Sequence, residues 1–374
     1  MKIAVIGPIH PFRGGIAHAT TLLCENLAKS HDVLAISYKR LFPKLLFPGK
    51  AQKYEGAKKL PFPVLPIIDS INPLTWADAV SKLNGFQPDL VILEWWAGFL
   101  APCSYQILRL LKKTSSAKRL VYCQNVLPLE RNRFHPTLAK KVFSKADYFI
   151  VLSEEELQKL KSLVPGADAK VMVEPTYEKQ FGNKVGKYKA KHHLHVQGNT
   201  AIFFGFVRPY KGLQYLIEAM PAVIKEISLT LLVVGEFWGS KKPYLDSIKK
   251  HGLEGNVRII GQYIPDGQVH WYFSAADVCI LPYTHSTQSG ILQVAMGYEV
   301  PVITSAVGSA RDLITDGKTG LLVHPKDAKA LSKAIISYFQ KRMEQPFVKA
   351  IHEEKKKFLW SKEKEAILFH GMNA

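Results

Sequence analysis

The chain has 374 residues, enough for two domains that each bury a core. With 47% hydrophobic and 22% charged residues it is not a disordered chain. The net charge of +19 and a pI near 9.6 point to an anionic partner, without choosing among nucleic acid, anionic membrane and phosphorylated substrate.

The first element is Lys2–Ile6, an apolar run too short for a signal-peptide core and closed by Gly7-Pro8. It predicts a buried strand and no export. Helical periodicity follows over Ile16–Ala28, then strands over Asp32–Ile36 and Leu90–Leu93. The longest uncharged apolar stretch, Trp95 to Leu108, is too short to span a bilayer and contains Pro102, so no membrane helix is expected. Further strands are predicted over Arg119–Cys123, Tyr148–Leu152 and Lys170–Val173, with helices over Leu138–Phe143 and Glu154–Leu163. The segment Glu178 to Asn199 is polar, rich in Lys and His and without periodicity, and reads as an interdomain linker.

A second series then begins. Strands over Ala201–Phe204, Leu229–Val234, Val257–Ile260, Val278–Leu281 and Val300–Ile303 alternate with helices over Leu213–Ile227, Tyr244–Lys250, Gln268–Phe273 and Ala328–Phe339. Phe347 to Phe369 reads as a last helix. Alternation of this kind implies parallel sheets covered by helices, here two doubly wound α/β domains, with ligands beyond the carboxyl ends of the strands. Cys24, Cys103, Cys123 and Cys279 form no Cys-x-x-Cys pair and read as small core residues.

Three strand-to-helix turns carry chemistry. Phe204-Gly205-Phe206-Val207-Arg208-Pro209-Tyr210-Lys211-Gly212 places two cations at a helix start. Cations there are unfavourable unless an anion binds. Thr284-His285-Ser286-Thr287-Gln288-Ser289-Gly290-Ile291 offers polar groups and amides at a second helix start, and a plain helix cap explains it equally well. The third, His10-Pro11-Phe12-Arg13-Gly14-Gly15, permits close backbone approach to a ligand or is a simple turn.

Taken together these motifs resemble the family 4 glycosyltransferases. Gly205, Arg208, Lys211 and Gly212 match the family's Gly-x-x-Arg-x-x-Lys-Gly pattern. Gly261-Gln262-Tyr263-Ile264-Pro265, Ala275-Ala276-Asp277 to Pro282, Val300-Pro301-Val302-Ile303, Gly308 and Asp316-Gly317-Lys318-Thr319-Gly320-Leu321 follow in the family's order. Gln124-Asn125-Val126-Leu127-Pro128 and Gly14-Gly15 match in the first half. One departure stands out. Many members carry a spaced pair of glutamates before an Ala-Met, and here Ser286 and Val294 occupy those places beside Thr287-Gln288-Ser289-Gly290. Gln293 is the nearest polar substitute for the second carboxylate.

The resemblance implies the GT-B fold, with two Rossmann-like domains facing a deep interdomain cleft. Residues 1–180 would bind the acceptor and residues 197–351 the donor, with a C-terminal helix over about 352–374 packing back on the first domain. It implies a retaining hexosyltransferase in polysaccharide or glycolipid biosynthesis, cytoplasmic or peripheral at the inner membrane face. The donor is expected to be a UDP- or GDP-sugar, with no other cofactor. No metal is expected either, since no Asp-x-Asp triplet and no His/Cys set with ligand spacing occurs.

Arg208 and Lys211 are the expected catalytic pair, stabilising charge on the departing diphosphate. Gly14, Gly15, Gly205, Tyr263, Ile264, Thr287, Gln288, Ser289, Gly290 and Ile291 are the expected donor-binding residues. Glu94, Trp95, Asn125 and Glu130 are expected at the acceptor; Trp95 and Trp96 fit core packing equally well. The segment 38–60 is basic, with Lys39, Arg40, Lys44, Lys50, Lys53, Lys58 and Lys59 among Phe42, Leu45, Leu46 and Phe47. It reads as a flexible loop that touches an anionic membrane, or as a loop folded over the domain with its lysines in water. No nucleic-acid motif is present, and no nucleic-acid partner is expected. A nucleotide-sugar epimerase of the same fold and a non-catalytic donor binder are the competing readings.

Overall fold

A computed structural model describes residues 1–43, 51–54, 59–127, 134–177 and 180–372. The chain divides into two units, Met1–Val173 with Trp360–Ala374, and Glu174–Leu359.

The first unit is a seven-stranded parallel sheet of order β3-β2-β1-β4-β5-β6-β7. Its strands are β1 (Lys2–Ile6), β2 (Asp32–Arg40), β3 (Val64–Asp69), β4 (Leu90–Trp95), β5 (Lys118–Cys123), β6 (Tyr148–Val151) and β7 (Ala169–Val171). Helices α1 (Gly15–Leu27), α2 (Pro73–Phe86), α3 (Ala101–Thr114), α4 (His135–Phe143) and α5 (Glu154–Leu163) connect them. The central strands are apolar on both faces because helices cover both. In β1, Ala4 and Ile6 join the core beneath α2, α3 and α4, whereas Ile3 and Val5 join the core beneath α1. β4 repeats the alternation: Val91, Leu93 and Trp95 go to one core, Leu90 and Ile92 to the other.

The second unit is a six-stranded sheet of order β10-β9-β8-β11-β12-β13. Its strands are β8 (Asn199–Phe204), β9 (Leu229–Val234), β10 (Val257–Ile260), β11 (Val278–Leu281), β12 (Val302–Ser305) and β13 (Gly320–Val323). The helices are α6 (Lys187–His193), α7 (Leu213–Glu226), α8 (Lys242–Lys250), α9 (Asp266–Ala275), α10 (Gly290–Gly297), α11 (Ala310–Leu313), α12 (Ala328–Gln340) and α13 (Glu344–Glu354). All pairings in both sheets are parallel.

Two segments differ from the sequence reading. The supposed linker is partly helical: α6 packs on α9, and Lys187 and Lys191 both bond the carboxylate of Asp277. Short-range periodicity missed it because α6 is held by these tertiary ion pairs, not by an apolar stripe. The supposed last helix is broken. After α13 a 3-10 turn, Lys355–Phe358, ends in extended Leu359, and a separate helix α14 (Lys362–Leu368) begins at the Ser361 cap. α14 belongs to the first unit, where Leu368 enters the core beneath α1. Among the described residues no helix is long and apolar enough to cross a membrane.

Candidate active site

Each sheet changes direction once, between β1 and β4 in the first unit and between β8 and β11 in the second. The loops leaving such a pair of strands splay apart and open a crevice at the sheet's carboxyl edge. In the second unit those loops are Gly205–Gly212 after β8 and Pro282–Ser289 after β11.

Glycines bring these loops together. Gly212 has φ 72°, and a Cβ there would sit 1.8 Å from the carbonyl oxygen of Pro282. At Gly308, with φ 52°, a Cβ would sit 2.2 Å from the carbonyl oxygen of Ser286 and 2.6 Å from that of Thr287. The contact is fixed by hydrogen bonds: the Thr284 amide donates to the Tyr210 carbonyl at 2.8 Å, and the Ser309 amide to the Thr287 carbonyl at 2.9 Å.

Aromatic rings hold the two cations. The Arg208 guanidinium lies 5.2 Å from the ring centre of Tyr210 and 5.1 Å from that of Trp238. The Lys211 ammonium lies 3.8 Å from the ring centre of Tyr283 and 5.3 Å from that of Tyr210. Such contacts orient a cation without neutralising it. No carboxylate pairs with Lys211 among the described residues. Burial, and then the charge of Arg208, lower its ammonium to about 7. Tyr283 also accepts a hydrogen bond from Ser289 Oγ at 3.3 Å, so one ring connects Lys211 to the start of α10.

Ser289 caps α10: its Oγ accepts from the Leu292 amide at 3.3 Å. The cap and the anion cradle are therefore not alternatives. One N–H is satisfied by the cap, and no acidic side chain occupies the first turn. Gln288 is held from the other side, its Nε2 donating to Glu174 at 2.6 Å. Tyr177 lies against Gly290 and points its hydroxyl at the same carboxylate, 3.5 Å away. Thr287 is buried, and Ile291 sits against Gly205. Tyr263 is half-buried beside Phe206, ring centres 5.8 Å apart, and Phe206 in turn stacks near Trp238 at 4.7 Å. Ile264 is buried.

Arg208, Lys211, Gly205, Tyr263, Thr287, Gln288, Ser289, Gly290 and Ile291 thus share one sheet edge. Gly14, Gly15, Glu94, Trp95 and Asn125 belong to the first unit, and Glu130 lies outside the described residues. Gly14 precedes α1 at φ 108°, and Gly15 is exposed, with open space where a Cβ would sit. Glu94 is buried at the end of β4, under Gly7 and Thr20, and accepts from Gln124 Nε2 at 3.1 Å. Asn125 follows, half-buried.

One expectation is corrected. Trp95 is 1% exposed; its ring packs edge-on against Phe143 and its indole N–H donates to the Val126 carbonyl at 3.1 Å. It is a core residue, because side chains alternate along a strand and Glu94 takes the opposite face. Of the segment 38–60, residues 51–54 fold against the first unit: Arg13 and Gln52 pair through the backbone, and Lys53 lies 4.6 Å from the ring centre of Phe12. Residues 44–50 and 55–58 lie outside the described residues. Gln293 is fully buried, and neither amide atom has a protein partner among the described residues.

Sequence reasoning passed over Tyr283 and Glu174. Tyr283 stood inside a quoted motif, but only the fold reveals that it lies under Lys211. Glu174 carried no signal, since its partner Gln288 is far along the chain.

Residues 198–341 match the family model described as "Glycosyl transferases group 1". Among curated relatives, phosphatidyl-myo-inositol mannosyltransferase of Mycobacterium leprae is 30% identical over 168 residues, 44% of this chain and 44% of its own length. D-inositol 3-phosphate glycosyltransferase of Kribbella flavida is 26% identical over 196 residues, 49% of this chain and 46% of its own. The chain therefore spans about half the length of these relatives. Among solved structures, HepE of Anabaena in complex with UDP-glucose superposes with a TM-score of 0.78 at 16% identity, covering 100% of both chains. Sucrose-phosphate synthase of Thermosynechococcus elongatus gives 0.76 at 19% identity, covering 99% of this chain and 97% of its own. The chain has the GT-B fold, and within its second unit residues 198–341 match the group 1 glycosyl transferase model.

Proposed function

We propose that this protein transfers a sugar from a nucleoside-diphosphate sugar to a hydroxyl acceptor, with retention of anomeric configuration. The observation that carries the reading is Lys211: a cation with no carboxylate partner among the described residues, held by Tyr283 beside the start of α10. A site built this way suits an anion.

In this reading the donor diphosphate lies between Arg208, Lys211 and the amides of Ser289 and Gly290. The bond between the sugar's anomeric carbon and the diphosphate oxygen breaks, and a bond to the acceptor oxygen forms on the same face. The acceptor's proton passes to a phosphate oxygen. Arg208 supplies a forked donor and Lys211 a point charge for the negative charge that develops on the leaving group. Phe206, Trp238 and Tyr263 offer aromatic faces for the base. UDP is favoured, since HepE is known in complex with UDP and with UDP-glucose; GDP is the second choice. The inositol-directed relatives support a polyol or lipid-linked hydroxyl as acceptor. Glu94 and Asn125 are assigned to orient it, with Gly14 and Gly15 admitting the donor to the first unit's loop. Contact of segment 38–60 with an anionic membrane belongs to the same proposal.

The test is incubation with a panel of UDP- and GDP-sugars and polyol or glycolipid acceptors, reading nucleoside diphosphate release and the product's anomeric configuration. Release that needs both acceptor and Arg208, with a retained anomer, is the expected result. Conversion of a donor to its epimer without acceptor would replace transfer by epimerisation.

A further inference from the structure

Between Trp95 and Ala146 the sequence carries ten Lys and Arg residues and one acid, Glu130. The fold places half of that charge on two neighbouring helices, α3 and α4. Their heads meet where Gly98 abuts the ring of His135, and further along the Lys145 ammonium lies 5.7 Å from the ring centre of Tyr105. α2 packs on the other flank of α3, and the Asn84 amide donates to Thr114 Oγ1 at 3.0 Å. Arg109, Lys112, Lys113, Lys140 and Lys141 are exposed on this layer. None of the five pairs with a carboxylate among the described residues.

The helix dipole favours cations at the ends of α3 and α4, which accounts for Lys112, Lys113, Lys140 and Lys141 in part. It does not account for Arg109, a turn earlier, or for the absence of any acid from either helix. Like charges at this density repel one another in water and gain when they face a plane of anions. The apolar residues of the same layer identify the plane. Leu74 is 80% exposed and Ile71 55% at the head of α2, and Phe134 is 66% exposed at the head of α4. Nucleic acid would use an aromatic ring for stacking but gains nothing from Leu74 and Ile71. An acyl-chain boundary accommodates all three. We infer that the α2–α3–α4 layer of the first unit is a docking surface for an anionic lipid bilayer. It is separate from segment 38–60 and does not depend on the donor site.

The test is co-sedimentation of the full chain with vesicles of phosphatidylcholine alone and of phosphatidylcholine mixed with phosphatidylglycerol. The protein is expected to partition onto the mixed vesicles only. The variant Lys112→Gln, Lys113→Gln, Lys140→Gln, Lys141→Gln should lose at least about tenfold in partitioning. Its melting temperature and its stabilisation by nucleoside diphosphates should be unchanged, so that a failure of the donor-site reading would show separately. Replacing Ile71, Leu74 and Phe134 by Ser should remove the fraction that stays bound at high salt. The inference is overturned if the lysine variant partitions like the parent, if neutral vesicles bind as well as anionic ones, or if Lys39→Gln, Lys53→Gln, Lys59→Gln has the larger effect. Tighter binding to an RNA homopolymer than to the mixed vesicles would also overturn it.

Discussion

The two units share one topology and opposite electrostatics at their switch points. Between β1 and β4 the buried group at the strand end is a carboxylate, Glu94, bonded to the neutral amide of Gln124. Between β8 and β11 the crevice instead holds a half-buried pair of cations, Arg208 and Lys211, set against Tyr210, Trp238 and Tyr283. A parallel sheet supplies the crevice in both cases; the loop residues decide what enters it. Under the proposed function a diphosphate enters the second crevice, and the first offers a carboxylate to hydroxyl groups.

The largest expected effect strikes the cationic side. Arg208→Ala and Lys211→Ala should each lower transfer by at least ~100-fold, as removal of one oxyanion donor does. Glu94→Gln should leave nucleotide binding within about twofold and lower transfer about tenfold, through loss of one charge-assisted hydrogen bond to the acceptor. If Glu94→Gln weakened nucleotide binding as much as Lys211→Ala, the division of labour would be wrong.

A second contrast uses glycines. Gly212→Ala should destabilise the protein by at least about 2 kcal/mol, since its φ is left-handed and the new Cβ meets the Pro282 carbonyl. Gly15→Ala, at the corresponding turn of the first unit, has open space around it and should leave the melting temperature unchanged. Thermal unfolding of both variants checks this.

The third prediction concerns pH. Burial and Arg208 hold Lys211 at about 7 in the free protein, and a bound diphosphate raises it. Below that pH the ammonium is charged before and after binding. Above it, binding must take up a proton, so affinity should fall as pH rises, by up to about tenfold per unit. Lys211→Gln should remove that slope in a titration. The unfolded chain holds this proton more tightly than the folded one, so the free protein should gain stability as pH rises from about 7 towards 10.5, and Lys211→Met should flatten the gain.

The smallest effect is expected at Gln293. A buried amide without a protein partner costs about 1–3 kcal/mol, so Gln293→Met should raise the melting temperature while leaving nucleotide binding intact. Lost nucleotide binding would give Gln293 a role at the donor after all.

Much of this was legible in the sequence, and the exceptions have physical causes. Strands such as Lys2–Ile6, Leu229–Val234 and Val278–Leu281 announce themselves because burial on both faces demands unbroken apolar runs. α3 did not, since its apolar head Ala101-Pro102-Cys103 continues the run begun by Trp95 and Trp96 and hides the helical period. The cationic turn was readable because Gly205, Arg208, Lys211 and Gly212 are local to one segment between β8 and α7. Trp95 was misplaced because one step of strand alternation moves a side chain to the other face. Tyr283 and Glu174 act across the fold, where a linear reading has no purchase.

The most direct test of the central claim is thermal stabilisation by UDP, GDP, ADP, TDP and CMP, with and without Mg2+, comparing the intact protein with the Arg208→Ala, Lys211→Ala variant. Selective stabilisation by one nucleoside diphosphate, lost in the variant, is the predicted result. Equal stabilisation of both proteins, or none by any nucleotide, would contradict a diphosphate site at the β8–β11 switch.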